Sequence, residues 1–375
     1  MLTRRHFLTV AALAAAGAGA AISAVPSEHW ARYRKTLAID GEAGSEIFSI
    51  DDTDPAIRKA LEAARASGLG AILYSVAPYG RFWLNDAAFE ATKASIARCR
   101  AKITTHSDYL LLVTKAEDLQ RAIREKRLGI VMRFQGTEPL GEDADRIPLF
   151  RELGVRVMQL THNRRNLVGD GAIEPSNAGL SKYGYEVVAR LNEEKIVVDL
   201  AHGGQRTIAE ALRASKAPVL ISHAGCRALA DLPRNVRDED LRTMANRGGA
   251  IGIIFWPYLR THGQPMAIDV IRHIEHAVNV CGEDHVGIGT DSGIAAVDRT
   301  PEFERNNRKA IEDIVALGVF GPARSPDLYT FIPDLNMADR FDRLAAMLAS
   351  RGHSDSRIEK ILGGNFARVL GQVWT

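Results

Sequence analysis

Between Lys195 and Gly225 the chain reads KIVVDLAHGGQRTIAEALRASKAPVLISHAG: two apolar, β-branched-rich runs joined by a stretch of helical composition. Runs of this kind are buried on both faces in a parallel sheet, and a strand–helix–strand unit crosses over right-handedly to lay its two strands side by side. Each run reaches a histidine as it ends, His202 in the first and His223 in the second. Both side chains are therefore expected at the carboxyl edge of neighbouring parallel strands, where folds of this class do their chemistry. One such histidine would be an ordinary core residue. Two at matching places form the pattern from which metal sites are built.

The same alternation runs along the chain. Further strand-like runs lie at 37–40, 70–76, 109–113, 129–135, 155–162, 250–256 and 286–291, and helical stretches at 55–67, 86–102, 116–125, 185–194, 206–214, 239–247 and 268–280. The first of these helices carries its own punctuation: Asp54 to cap it, Pro55 for its first position and Gly68 to stop it. The pattern predicts an α/β chain folded as a single-domain (β/α)8 TIM-type barrel over residues 25–375. Nine runs are one too many, and 109–113, set inside a connection between two better strands, is expected outside the barrel. An open doubly wound sheet fits less well, because no Gly-x-Gly-x-x-Gly follows the first strand. The longest break in the rhythm, 292–334, follows the last strand and is expected over the barrel mouth.

Residues 1–24 read MLTRRHFLTVAALAAAGAGAAISA, with twin arginines Arg4 and Arg5 ahead of a weakly apolar, Ala- and Gly-rich run that ends in small residues. This has the form of a twin-arginine export signal and is a poor membrane span. It predicts passage through the twin-arginine export machinery and a soluble periplasmic or secreted bacterial protein. The formal net charge is +2, which Arg4 and Arg5 alone account for. No basic patch is visible, so no nucleic-acid partner is expected. Three scattered cysteines, Cys99, Cys226 and Cys281, allow neither a disulfide framework nor a thiolate zinc site.

The residues at the carboxyl ends of the eight barrel strands are Glu42, Ser75, Gln135, His162, His202, His223, Trp256 and Asp291. His202, His223 and Asp291 make a first shell for zinc or a similar divalent metal, with Glu42 or Gln135 available as oxygen ligands. Such an ion acidifies a water and polarises a carbonyl while Asp291 takes the proton, which is the chemistry of amide hydrolysis. His285 opens the last strand at its other end and reads as structural.

Several motifs, in order, resemble the renal (membrane) dipeptidase family, peptidase family M19, a branch of the amidohydrolase superfamily. They are LTHNRRN from Leu160, GLSKYGYEVV from Gly179, VVDLAH from Val197, ISHAGCRAL from Ile221, PRN from Pro233, HVGIGTDSG from His285 and KILGGNFARVL from Lys360. The resemblance spans 37–374 and implies that His202 and His223 correspond to the histidines of the family's second metal and Asp291 to its catalytic aspartate. It further implies that His162 helps hold and polarise the substrate and that Arg234 meets the substrate's carboxylate. A small peptide or amide substrate is expected, and homodimers are common in such proteins.

The chain departs from the family where the first metal is held. The Asp-Gly-His-x-Asp that ends the family's first strand reads here Asp40, Gly41, Glu42, Ala43, Gly44, and the bridging glutamate aligns with Gln135. Glu42 replaces the histidine, Gly44 offers no ligand, and an amide stands for a carboxylate. Two dications need several anionic ligands, so the site is expected to hold at most one ion. Three outcomes stay open: a hydrolase with one ion on His202, His223 and Asp291 or Glu42; a metal-free isomerase or lyase using Glu42 and Asp291; and a non-catalytic binding or accessory protein on a dipeptidase scaffold.

Overall fold

The computed structural model describes residues 25, 28–78, 86–316, 318, 320 and 324–375; the export-signal reading of 1–24 lies outside them. In chain order the strands are β1 (Ile39–Asp40), β2 (Ala43–Gly44), β3 (Ala71–Ser75), β4 (Leu110–Leu112), β5 (Leu128–Phe134), β6 (Val155–Gln159), β7 (Val197–Asp199), β8 (Leu220–Ala224), β9 (Ala250–Ile253), β10 (Val286–Ile288) and β11 (Ser292–Gly293). Eight of them, β1, β3 and β5 to β10, are parallel neighbours. The ring closes through Asp40↔Ile288 on one side of β1 and Ile39↔Ala71 on the other. It is a (β/α)8 barrel. Strand β4 pairs with the first residues of β5 (Leu110↔Leu128), whereas β6 pairs with the last (Phe134↔Met158), so 109–113 does lie outside the ring.

The helices form for the reasons their sequences give. In Ala56–Ser67, Asp54 Oδ1 accepts from the Ala56 N–H at 2.8 Å, and Gly68 ends the helix at φ 72°, a left-handed position open to glycine. Its Ile57, Leu61 and Ala64 are buried against the barrel. Strand residues alternate between two apolar layers. Ile72, Ile130, Met132, Met158 and Ile221 join the layer between barrel and helices. Leu73, Val131, Val157, Val197 and Leu220 fill the barrel together with Phe366 from the C-terminal helix Asn365–Trp374. Gly41 and Gly252 make room for that ring: a Cβ on either would lie within 3 Å of Phe366. The motif KILGGNFARVL is thus a plug for the barrel interior.

Two features were not foreseen. The strands stop short of the expected residues, β7 at Asp199 and β10 at Ile288, so His202 and Asp291 stand in the loops beyond. The segment 292–334 is not a plain loop. It opens with β11 paired to β2 (Ser292↔Ala43) and contains a helix, Pro301–Ala316. It returns onto the loop after β9, with Tyr329 N–H donating to Gln264 Oε1 at 2.7 Å, Arg324 Nη2 to the Pro257 carbonyl at 2.5 Å, and Phe320 against Tyr258. Among the described residues no helix is long and apolar enough to cross a membrane.

Candidate metal centre

Above the apolar layer inside the barrel sits a polar one. Arg133, Gln159, Asp199 and Ser222 each follow Val131, Val157, Val197 or Leu220 by two residues, and so share the inward face one step nearer the mouth. All four are fully buried. Arg133 Nη2 donates to Asp199 Oδ2 at 2.6 Å and to Gln159 Oε1 at 2.7 Å; Nη1 donates to Ser222 Oγ at 2.9 Å and the Gly41 carbonyl at 3.1 Å. Glu42 Oε2 lies 2.5 Å from Nη1 as an ion pair, while the directed hydrogen bonds of that nitrogen go to the other two oxygens. Burial pushes the Glu42 carboxyl above the usual carboxylate range, and Arg133 pulls it back.

On this layer stand the two histidines. His223 Nε2 and His202 Nε2 are 2.8 Å apart. Their far nitrogens fix their tautomers. Ser222 Oγ gives its proton to Asp199 Oδ2 at 2.5 Å, so toward His223 Nδ1, at 2.8 Å, it can only accept. His202 Nδ1 donates to Asn163 Oδ1 at 2.7 Å. Both protons are therefore on Nδ1, and both Nε2 atoms present bare lone pairs to one point. Burial, with Arg234 close by, holds the two imidazoles neutral, well below their ordinary pKa.

The third group is Asp291. Among the described residues, ligand atoms of His202, His223 and Asp291 all lie within 4.8 Å of one another, and Glu42 is not in that group. Asp40 sets where Asp291 begins, accepting from Thr290 N–H at 2.7 Å and Thr290 Oγ1 at 2.6 Å. The Asp291 N–H then donates to the Glu42 carbonyl, and Trp256 Nε1 donates to the Asp291 carbonyl at 2.6 Å. The residue keeps some surface, yet its carboxyl is sunk in the mouth: burial lifts its pKa to about 7 against the pull of Arg234 and Arg133. His202 (φ 63°) and Asp291 (φ 53°) both hold left-handed backbone that side chains other than glycine seldom adopt, the kind of strain found at functional sites.

The remaining residues expected from the sequence come to the same mouth. His162 stacks on His202 with ring centroids 4.2 Å apart, and burial followed by Arg234 brings its pKa down to about 3. Arg234 is buried, gives Nη2 to the His223 carbonyl at 3.1 Å and lies over the Tyr258 ring; among the described residues its Nε has no hydrogen-bond partner. Glu42 pairs with Arg133 and lies outside the histidine–aspartate group, and Gly44 offers only backbone, paired in β2; Gln135 is buried and likewise outside that group. His285 is structural as expected, bonding the Gly249 carbonyl at 2.7 Å. Sequence reasoning missed Arg133, Asp199, Ser222 and Asn163, although three of them adjoin or sit within quoted motifs.

The model of the membrane dipeptidase family (peptidase family M19) matches residues 36–307. The chain belongs to this family. It is 30% identical over 315 residues to Dipeptidase tcpJ of Claviceps purpurea, a match covering 81% of this chain and 66% of that protein. With Dipeptidase verJ of Clonostachys rogersoniana it shares 28% identity, over 77% of this chain and 67% of the relative. The chain thus spans about two thirds of the length of these curated relatives. Among solved structures, an amidohydrolase from Pseudomonas aeruginosa superposes with a TM-score of 0.75 at 29% identity, covering 91% of this chain and 98% of that one. A metallo peptidase from Rhodobacter sphaeroides, liganded with a phosphinate mimic of the dipeptide L-Ala-D-Ala, shares the fold with a TM-score of 0.71 at 18% identity, covering 90% of this chain and 100% of that one.

Proposed function

We propose that this M19-family chain is an exported hydrolase of dipeptides or other small amides that works with a single divalent ion. The observation that carries the reading is the pair of Nε2 atoms 2.8 Å apart, each with its proton fixed on the other nitrogen. Two bare lone pairs at that distance repel unless a cation binds at the point on which they converge, and Asp291 supplies the anionic third ligand. When bound there, a zinc-like ion supplies Lewis acidity and a water of lowered pKa.

The chain's own residues do the rest. Asn163 and Ser222 hold the two imidazoles by their Nδ1 protons, so neither ring can turn its bare nitrogen away. Asp291, its carboxyl sunk in the mouth, would receive the proton of the attacking water and hand it to the leaving amine. Arg234 presents a desolvated guanidinium whose Nε is unpartnered, the group best shaped to take a peptide carboxylate. His162, stacked on His202, orients the scissile carbonyl. Phe320, Arg324 and Tyr329 pack onto the loop after β9, and a small molecule is the substrate this reading expects. The dipeptidase names of the relatives support that substrate class.

Purified without chelator, the full chain is expected to carry one zinc-like ion and to hydrolyse members of a dipeptide panel. Chelation should abolish turnover and re-added zinc restore it. A folded, metal-loaded chain that cleaves no dipeptide or N-acyl amino acid would contradict the reading. Export is tested separately by cell fractionation: replacing Arg4 and Arg5 by Lys should retain the protein in the cytoplasm.

A further inference from the structure

The oxygen-lined cradle beside the histidines is already filled by the protein. Glu42 Oε2, Asp199 Oδ2, Gln159 Oε1, Ser222 Oγ and the Gly41 carbonyl converge within 3.1 Å of the Arg133 guanidinium, which is 0% exposed. A ring of oxygens containing two carboxylates is the donor set of a divalent cation. Here a guanidinium, a permanent and weakly hydrated cation, meets it with planar forked donors.

We propose that Arg133 is a built-in cation: its guanidinium occupies the second cation position of the barrel mouth, keeps a second metal ion out and orients the first. Charge supports this. Even fully ionised, Glu42, Asp199 and Asp291 offset three positive charges, those of one guanidinium and one dication; a second dication would exceed them by two in a buried site next to Arg234. Geometry supports it independently. Arg133 Nη1 and Asp199 both bind Ser222 Oγ, which fixes that hydroxyl as the acceptor for His223 Nδ1–H. Arg133 is thus a positioning residue. It does not meet substrate, and it acts on the ion through Ser222 and His223. The inference rests on the single-ion reading above only for what sits on the histidines.

The test is the count of zinc ions per folded full-length chain, by elemental analysis after equilibration with zinc and gel filtration, in wild type, Arg133→Lys and Arg133→Ala. The proposal expects one, one and two, because alanine empties the cradle and leaves Glu42 and Asp199 facing an open cavity. In Arg133→Ala, millimolar methylguanidinium should compete with the second ion and return the count to one. Two ions in wild type, or one in a folded Arg133→Ala, would overturn it. If Arg133→Ala does not fold, the decision passes to Arg133→Lys, where one ion supports the proposal and two overturn it. A count of zero in wild type that rises to one in Arg133→Ala would sink the metal-hydrolase reading and leave Arg133 as the resident cation.

Discussion

The two halves of the barrel mouth are built from neighbouring strands yet are opposites in their hydrogen bonding. In the half formed by Arg133, Glu42, Gln159 and Asp199, oxygens converge on a donor the protein supplies itself. In the half formed by His202, His223 and Asp291, acceptors outnumber donors, and two lone pairs face each other across 2.8 Å. The first half carries its own cation, and in the function proposed above the second takes one from solution. A site that loses ligands for one ion need not lose its electrostatics, because a fixed guanidinium can stand on the same anionic ground.

The largest effect is expected in the open half. His223→Ala removes one of two imidazole ligands and should strip the ion and lower kcat/KM well beyond the roughly 10- to 100-fold typical of losing a ligand's supporting partner, read by elemental analysis and dipeptide turnover. In the closed half, Arg133→Ala leaves buried carboxylates without their cation. In chelator-treated buffer it should cost about 3–5 kcal/mol in urea denaturation, with divalent ions restoring part of the loss. An Arg133→Ala variant as stable as wild type under chelation would show that the closed half is not an ion-paired unit.

Between the halves stands Asn163, which holds His202 Nδ1. Asn163→Ala should weaken zinc binding about 10- to 100-fold by competition titration while leaving chelated stability nearly unchanged. The smallest effect concerns Glu138, a largely buried carboxyl just past Gln135 that no cation accompanies among the described residues. Gly136 lets it fold back, and burial lifts its pKa to about 7. Between pH 4.5 and 7 the folded chain then binds more protons here than the unfolded one, so stability falls as pH rises through that window. Glu138→Gln should abolish the fall, raising stability at pH 7.5 relative to pH 5 by on the order of 1–2 kcal/mol in paired thermal melts.

Much of this architecture was legible because it is local. The strand–helix rhythm, the helix of Ala56–Ser67 with its Asp54 and Gly68, and the exclusion of 109–113 all follow from signals within a dozen residues. His202, His223 and Asp291 were legible because strand ends in such folds have a common destination. Arg133 was not, since in LGIVMRF one cation reads as an interruption. Its partners Gly41, Gln159, Asp199 and Ser222 come from four other strand segments that only barrel closure brings together. The signal that could have found it is its parity with Gly129 and Val131, which points it inward in a strand buried on both faces. The early strand ends at β7 and β10 escaped notice because the positive φ of His202 and Asp291 comes from the loops' hydrogen bonds, not from residue type.

The most direct test is an anomalous-scattering map at the zinc edge from crystals of the full chain grown with excess zinc. One strong peak is expected in the mouth, among His202 Nε2, His223 Nε2 and the Asp291 carboxylate, with Arg133 still seated between Glu42 and Asp199. Two peaks, with Arg133 displaced from its cradle and Glu42 turned toward the second ion, would contradict it.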